Sequence, residues 1–257
     1  MTEILVLCYH SVSSAWPAST SVRPEDFERQ IADLVGRGYR GTTFSGALTA
    51  PESERVLAVT FDDAHRSVLE LAAPAMARLG VPGTVFAPTD HATSGRPMAW
   101  DGYDVWLGTE HEAELRCMSW AELSGLVAQG WEVGSHTCSH PRLSRLADAE
   151  IEAELVESRR TCEERLGVPC RSIAYPYGDY DDRVLRAARE AGYSFGASAP
   201  RSPAPSLPLA WPRVAVYHGE GVHRLRLRAR SRRLRPSAAL RATRPLRRLL
   251  PRSGSDG

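Results

Sequence analysis

Two short stretches of the chain carry residues whose types and spacing suit metal-assisted hydrolysis. Thr60-Phe61-Asp62-Asp63 closes one apolar run, and about seventy residues on His136-Thr137-Cys138-Ser139-His140-Pro141 closes another. One carboxylate and two imidazoles offer a divalent cation an oxygen and two nitrogens and leave a coordination position for water. The other carboxylate is then free to act as a base. The runs Val56–Phe61 and Trp131–Ser135 end abruptly, which puts these side chains at strand ends, where barrel enzymes build their active sites. Neighbouring strand residues point to opposite sides, so only one of Asp62 and Asp63 readily faces a cation. Histidines four residues apart meet on one side of a helical turn, and Ser135 or Thr137 stands where it could orient an imidazole through its second nitrogen. Cys138, between the histidines, receives no role.

Short apolar runs alternate with longer amphipathic stretches, the pattern of repeated βα units. Strands are expected at Ile4–Tyr9, Val56–Phe61, Thr84–Ala87, Trp131–Ser135, Ser172–Tyr175, Phe195–Ala197 and Val214–Val216. Helices are expected at Pro24–Arg37, Ser67–Leu79, Trp120–Gln129, Asp148–Leu166 and Asp181–Ala191, and each is followed by a glycine that suits a helix stop. The pattern predicts an α/β fold, a distorted (β/α) barrel with about seven parallel strands. No 20–50-residue period recurs, which excludes a solenoid. Pro88–Met118 is the longest stretch without periodicity and carries Trp100, Tyr103 and Trp106; it reads equally as a sugar-stacking platform or as a small core of its own.

The Asp62-Asp63 and His136–Pro141 segments resemble the first two motifs of the polysaccharide deacetylase family, carbohydrate esterase family 4, and the resemblance runs from about Ile4 to Val216. It implies an irregular barrel of seven or so strands and a metal-dependent hydrolase that removes acetyl groups from N-acetylated hexosamines. Residue by residue, it implies Asp62 as the general base and Asp63, His136 and His140 as ligands of a divalent cation, zinc first, with cobalt, nickel or iron as alternatives. Ala64 stands where the family usually has glycine, a strained choice if that position needs a positive φ. His65 is expected to be exposed and idle. Ile173-Ala174-Tyr175-Pro176-Tyr177-Gly178 resembles the third motif, with Ala174 where many members have arginine; the resemblance gives Tyr177 a place in the site and its backbone N–H a share of the oxyanion. Tyr9-His10-Ser11 resembles a branch, including exopolysaccharide deacetylases, in which an N-terminal histidine is the general acid. His10 takes that role here, with His218 as the late alternative. Arg213, in Trp211-Pro212-Arg213-Val214, is the substitute for the missing arginine that would orient Asp62. A carbohydrate O-acetyl esterase and a noncatalytic sugar-binding relative are the rival readings.

Hydrophobic residues make up 42% and charged residues 25% of the 257, ordinary values for a globular protein. The net charge of +1 conceals an asymmetry, because all 32 basic residues are arginine and twelve of them follow residue 222. That leaves 20 arginines against 30 acids over residues 1–222, a net charge of −10. Residues 1–222 are therefore expected to form the barrel domain and 223–257 an arginine-rich extension, partly disordered or docked on the surface. Such an extension suits the acidic body or an anionic membrane surface; no recognition motif supports specific nucleic-acid binding. The apolar run near the N-terminus is about six residues long and is preceded by Glu3, which reads as a first strand and not an export signal. A cytoplasmic protein, peripheral to the membrane in one version, is the resulting expectation. Five cysteines without CxxC spacing fit free thiols. The oligomeric state is left open.

Overall fold

A computed structural model describes residues 3–51, 54–198 and 207–231. In chain order the strands are β1 (Glu3–Tyr9), β2 (Ser11–Val12), β3 (Ser21–Val22), β4 (Arg40–Thr42), β5 (Arg55–Phe61), β6 (Gly83–Ala87), β7 (Glu132–Ser135), β8 (Ser172–Ala174), β9 (Phe195–Ser198), β10 (Trp211–Pro212) and β11 (Val214–Ala215). The helices are α1 (Pro24–Gly36), α2 (Phe44–Leu48), α3 (Ala73–Arg78), α4 (Thr89–Ser94), α5 (Trp120–Ala128), α6 (Asp148–Leu166), α7 (Asp182–Glu190) and α8 (Val222–Ser231). All pairings in the main sheet are parallel, in the order β10-β9-β8-β7-β6-β5-β1-β11, with β4 added to β5. The expected distorted α/β barrel is thus the fold. Beyond the expected strands the main sheet has β4 and β10, and β2 and β3 pair in a small second sheet.

That segment closes the ring. Trp211 and Pro212 pair with β9, whereas Val214 and Ala215 pair with β1 at Leu7 and Cys8. Five consecutive residues therefore join the two free edges of the sheet, and Arg213 lies at the join with its N–H on the Ser198 carbonyl.

The strand alternation sorts the side chains. Ile4, Val6, Val56, Ala58, Phe86, Ala174, Ala197 and Trp211 form one buried cluster with Phe44 and Leu48 of α2. The intervening Leu5, Leu7, Tyr9, Leu57, Val59 and Phe61 belong to the cluster shared with the helices. By this period of two, Cys8 and Asp62 continue the first series.

One helix departs from expectation. The Ser67–Leu79 segment begins with a π turn, Val68–Ala72, before α3. Pro74 has no N–H for the α-helical bond to residue 70, and its ring crowds that carbonyl, so the turn widens. At the other end of the described chain, α8 takes in residues assigned from sequence to the basic extension. It lies against α1, burying Leu225 and Ala229, with Arg226 paired to Asp33 and Arg228 to Glu220. The remainder of that extension, 232–257, lies outside the described residues. No helix among the described residues is long and apolar enough to cross a membrane.

Candidate active site

Asp62 ends β5 with its N–H on the Tyr9 carbonyl. Its carboxylate is gripped by the guanidinium of Arg213 through both oxygens, Nη1 to Oδ1 at 2.6 Å and Nη2 to Oδ2 at 2.7 Å. Nη1 also donates to Thr60 Oγ1 at 3.0 Å. Both partners are buried, and such a two-pronged pair is the arrangement arginine's planar fork favours. Burial alone would raise the Asp62 carboxyl, but Arg213 and then His136 outweigh it and hold it at about 2. The base expected from sequence is thus ionised at any physiological pH.

Asp63 should by alternation face away from Asp62. It does not, because the chain turns at once into the left-handed region, with φ of 69° at Asp63 and 53° at Ala64. Both adjacent carboxylates thereby reach one cavity. The expectation that Ala64 carries strain if φ is positive is met, and the cost is of the order of 1–3 kcal/mol per such residue. Among the described residues three further non-glycine residues have positive φ, namely Thr137, His140 and Tyr177; all five belong to the site or its supporting turns.

The histidine segment differs from its expected form. His136 and His140 are joined by a bend, with Thr137 and His140 at φ of 66° and 65°, and not by a helical turn. Neither Ser135 nor Thr137 orients an imidazole. Ser135 Oγ donates to Ser158, and Thr137 Oγ1 accepts the His140 N–H. The bend is held from α6, where Glu154 accepts the N–H groups of Cys138 and Ser139 at 2.7 and 3.1 Å, and from α4, whose Thr89 and Asp90 N–H groups bond the Thr137 and Cys138 carbonyls. His136 Nδ1 donates to the Ala174 carbonyl at 2.8 Å, which turns Nε2 toward Asp63; Asp63 and Asp62 raise the basicity of the ring in spite of its burial. His140 is driven by burial down to about 3, so its ring is neutral and able to ligate.

Asp63 Oδ1 stands 3.3 Å from His136 Nε2 and 3.4 Å from His140 Nε2. Oδ1 is buried and makes no hydrogen bond within the described residues. In a tetrahedral site with bonds of about 2.0–2.1 Å, ligand atoms stand about 3.3–3.4 Å apart. The spacing, the orphaned oxygen and the mixed N and O donors therefore fit a divalent cation. Cys8, His10 and Asp62 form a second close group, their donor atoms within 4.8 Å of one another. There both Asp62 oxygens already face a guanidinium, whose charge opposes a second cation.

A cavity of about 490 Å³ opens over these groups, and Asp62, Asp63, His136, His140, His10, Tyr177 and Arg213 all line it. Every site residue expected from the sequence is brought there. His10 reaches it from the end of β1 with Nδ1 buried and without a hydrogen-bond partner among the described residues. Burial lowers its basicity more than Asp63 and Asp62 restore it. His218 is exposed, does not line the cavity, and uses its backbone N–H and Nδ1 on the Ser19 and Ser21 carbonyls. Tyr177, at φ of 59°, presents its ring to His140, and Arg142 lies over its other face at 3.9 Å.

His65 is a correction. It is fully buried, its Nδ1 donates to the Glu114 carbonyl, and its Nε2 lies 2.8 Å from the Tyr103 hydroxyl. The loop left open between platform and small core packs against both the site and the core. Trp100 stacks on His140 with centroids 3.9 Å apart, while Tyr103 and Trp106 pack on Trp16. Cys8, whose thiol lies 3.4 Å from Asp62 Oδ2, was missed, although the Ile4, Val6, Cys8 alternation points to it. Glu154 has no comparable signal, since its role depends on where α6 lands.

The sequence profile of the polysaccharide deacetylase family matches residues 49–196. The chain belongs to the polysaccharide deacetylase family. It is 26% identical over 201 residues to a Bacillus subtilis protein named putative polysaccharide deacetylase YxkH, covering 76% of this chain and 64% of that one. It is also 26% identical over 203 residues to the poly-β-1,6-N-acetyl-D-glucosamine N-deacetylase of Staphylococcus aureus, covering 74% and 65%. The chain thus spans less than two thirds of the length of these two polysaccharide deacetylase relatives. The fold is shared with the Streptococcus pyogenes deacetylase PplD at a TM-score of 0.74 and 20% identity, over 88% of this chain and 98% of that one. IcaB from Ammonifex degensii matches at 0.69 and 22% identity, over 88% and 97%.

Proposed function

We propose that the protein is a metal-dependent N-deacetylase of a glycan built from N-acetylated hexosamines. The observation that carries this reading is the Asp63/His136/His140 trio beside an ionised Asp62 in one cavity. A divalent cation, zinc first, would be held by that trio and would supply a Lewis acid for an acetyl carbonyl and for the acidity of water. Asp62, fixed by Arg213 and kept anionic, takes the proton of the attacking water. The Tyr177 backbone N–H, on its left-handed turn at the cavity wall, is the donor we assign to the oxyanion. His10 delivers the proton the departing amine needs. Its lowered basicity makes the protonated ring a stronger acid, at the cost of a smaller protonated fraction at neutral pH. Trp100 and Tyr177 flank the ligand His140 and line the cavity that a sugar ring would enter. The name of the staphylococcal relative supports a β-1,6-linked N-acetylglucosamine polymer or its precursor as the substrate. We attach to this reading an intracellular setting, with residues 223–257 close to an anionic bilayer.

The purified protein with Zn²⁺ or Co²⁺ should release acetate from N-acetylglucosamine oligomers. Release from O-acetylated but not N-acetylated sugars would replace this reading with the esterase one, and release from neither would favour the noncatalytic one. A His10→Ala variant should be impaired far more on amides than on aryl acetates, because a phenolate leaves without a proton. It should also lose the decline in rate as pH rises through the His10 value, which lies below 6.5. His218→Ala should do neither, and the reverse pattern would overturn the assignment.

A further inference from the structure

We infer that Tyr103 is a positioning residue for the metal, fixing Asp63 so that a single oxygen faces the two imidazoles, and that its loop is built as part of the metal site. This rests on the metal reading given above. Each member of the trio has its own brace. His136 is oriented by the Ala174 carbonyl, as described. Asp63 is oriented by the Tyr103 hydroxyl, which donates to Oδ2 at 2.8 Å and leaves Oδ1 toward the histidines. His140 has no hydrogen bond at Nδ1 among the described residues, and its ring is held by Trp100, stacked 20° from parallel. Two of the three braces come from one loop.

That loop is sewn to the turn it braces. Met118 N–H bonds the Ala64 carbonyl at 2.8 Å, Arg66 N–H bonds the Arg116 carbonyl at 2.9 Å, and Met98 N–H bonds the Leu115 carbonyl at 2.9 Å. The left-handed residues Asp63 and Ala64 are thus pinned by the far end of the loop, and Asp63 by its middle. Below them, the His65 Nδ1 faces a carbonyl and so carries a proton. The Tyr103 hydroxyl thus stands 2.8 Å from both Asp63 Oδ2, to which it donates, and His65 Nε2. Trp100 and Trp16 flank its ring at 5.3 and 5.6 Å.

The test is the affinity of the full chain for Co²⁺, by competition titration, together with the visible absorption of the bound ion. Tyr103→Phe should weaken Co²⁺ binding about 10–100-fold, the range for removal of such an outer partner, and shift the absorption band as Asp63 becomes free to offer both oxygens. Trp100→Leu, which leaves the hydrogen bonds in place, should also weaken it. Leu107→Ala, on the exposed side of the same loop, should change neither quantity. A Tyr103→Phe protein within about twofold of the parent with an unshifted band would overturn the inference, as would equal weakening by Leu107→Ala. Failure of the parent protein to bind Co²⁺ at all would overturn the metal reading itself, and this inference with it.

Discussion

An Asp62→Asn enzyme is expected to bind its metal as the parent does and to lose about 10²–10⁴-fold in turnover, the range for removal of general acid–base help. The amide keeps the size of the carboxylate but cannot accept the proton of water. It also sets an NH₂ against a guanidinium nitrogen where an oxygen now stands 2.6–2.7 Å away. The variant should therefore be less stable as well, because Arg213 is left buried without its counter-charge. The pH dependence separates the two effects. The Asp62 carboxyl is depressed in the folded protein, from 3.8 to about 2. Its contribution is accordingly complete above its unfolded value and disappears as pH falls through the folded one. In metal-free protein, the stability gap between parent and variant should narrow by about 2 kcal/mol as pH drops from above 4 toward 2. Metal loss in Asp62→Asn equal to that in Asp63→Asn would show that the division of roles between the pair is misassigned.

His140→Ala should abolish stoichiometric metal binding, measured by elemental analysis of dialysed protein, with an almost unchanged far-ultraviolet circular dichroism spectrum. A neutral imidazole held between Trp100 and Tyr177 supplies one of three donors, and two donors do not retain a cation against dialysis at the affinity of a three-ligand site. The fold itself does not depend on that ring, which adds no hydrogen bond from its side chain within the described residues. Full occupancy in this variant would show that the ion binds elsewhere.

The sequence made the strand ends legible because apolar runs that stop abruptly are a local signal. The placement of His10 at the cavity, and of His218 away from it, was legible for the same reason, since one follows a strand that faces the cavity and the other follows the last one. Arg213 was legible only by the absence of arginine before Tyr175; its geometry required the ring to close. What could not be read depends on long-range placement. Alternation suggested that Asp63 points away from Asp62, and only the left-handed turn reverses this. The spacing of His136 and His140 suits a helix as well as it suits a bend, and the bend prevails because Glu154, sixteen residues beyond Cys138, captures its N–H groups. His65 looked idle because its partners, Tyr103 and Glu114, come from a loop without periodicity.

The closure of the ring by Trp211–Ala215 has a consequence for the order of synthesis. Asp62 and Arg213 are 151 positions apart in the chain, so a ribosome exposes the carboxylate long before its counterion. Until the last segment emerges, β1 and β9 each carry a bare edge, and Asp62 sits in an open trough where water solvates it. Arrival of those five residues covers both edges and withdraws the charge from water against its partner in one event. A chain stopped short of residue 211 would leave the edges of β1 and β9 uncovered, a feature suited to chaperone capture, and the buried Asp62–Arg213 pair forms only with the final stitch of the barrel.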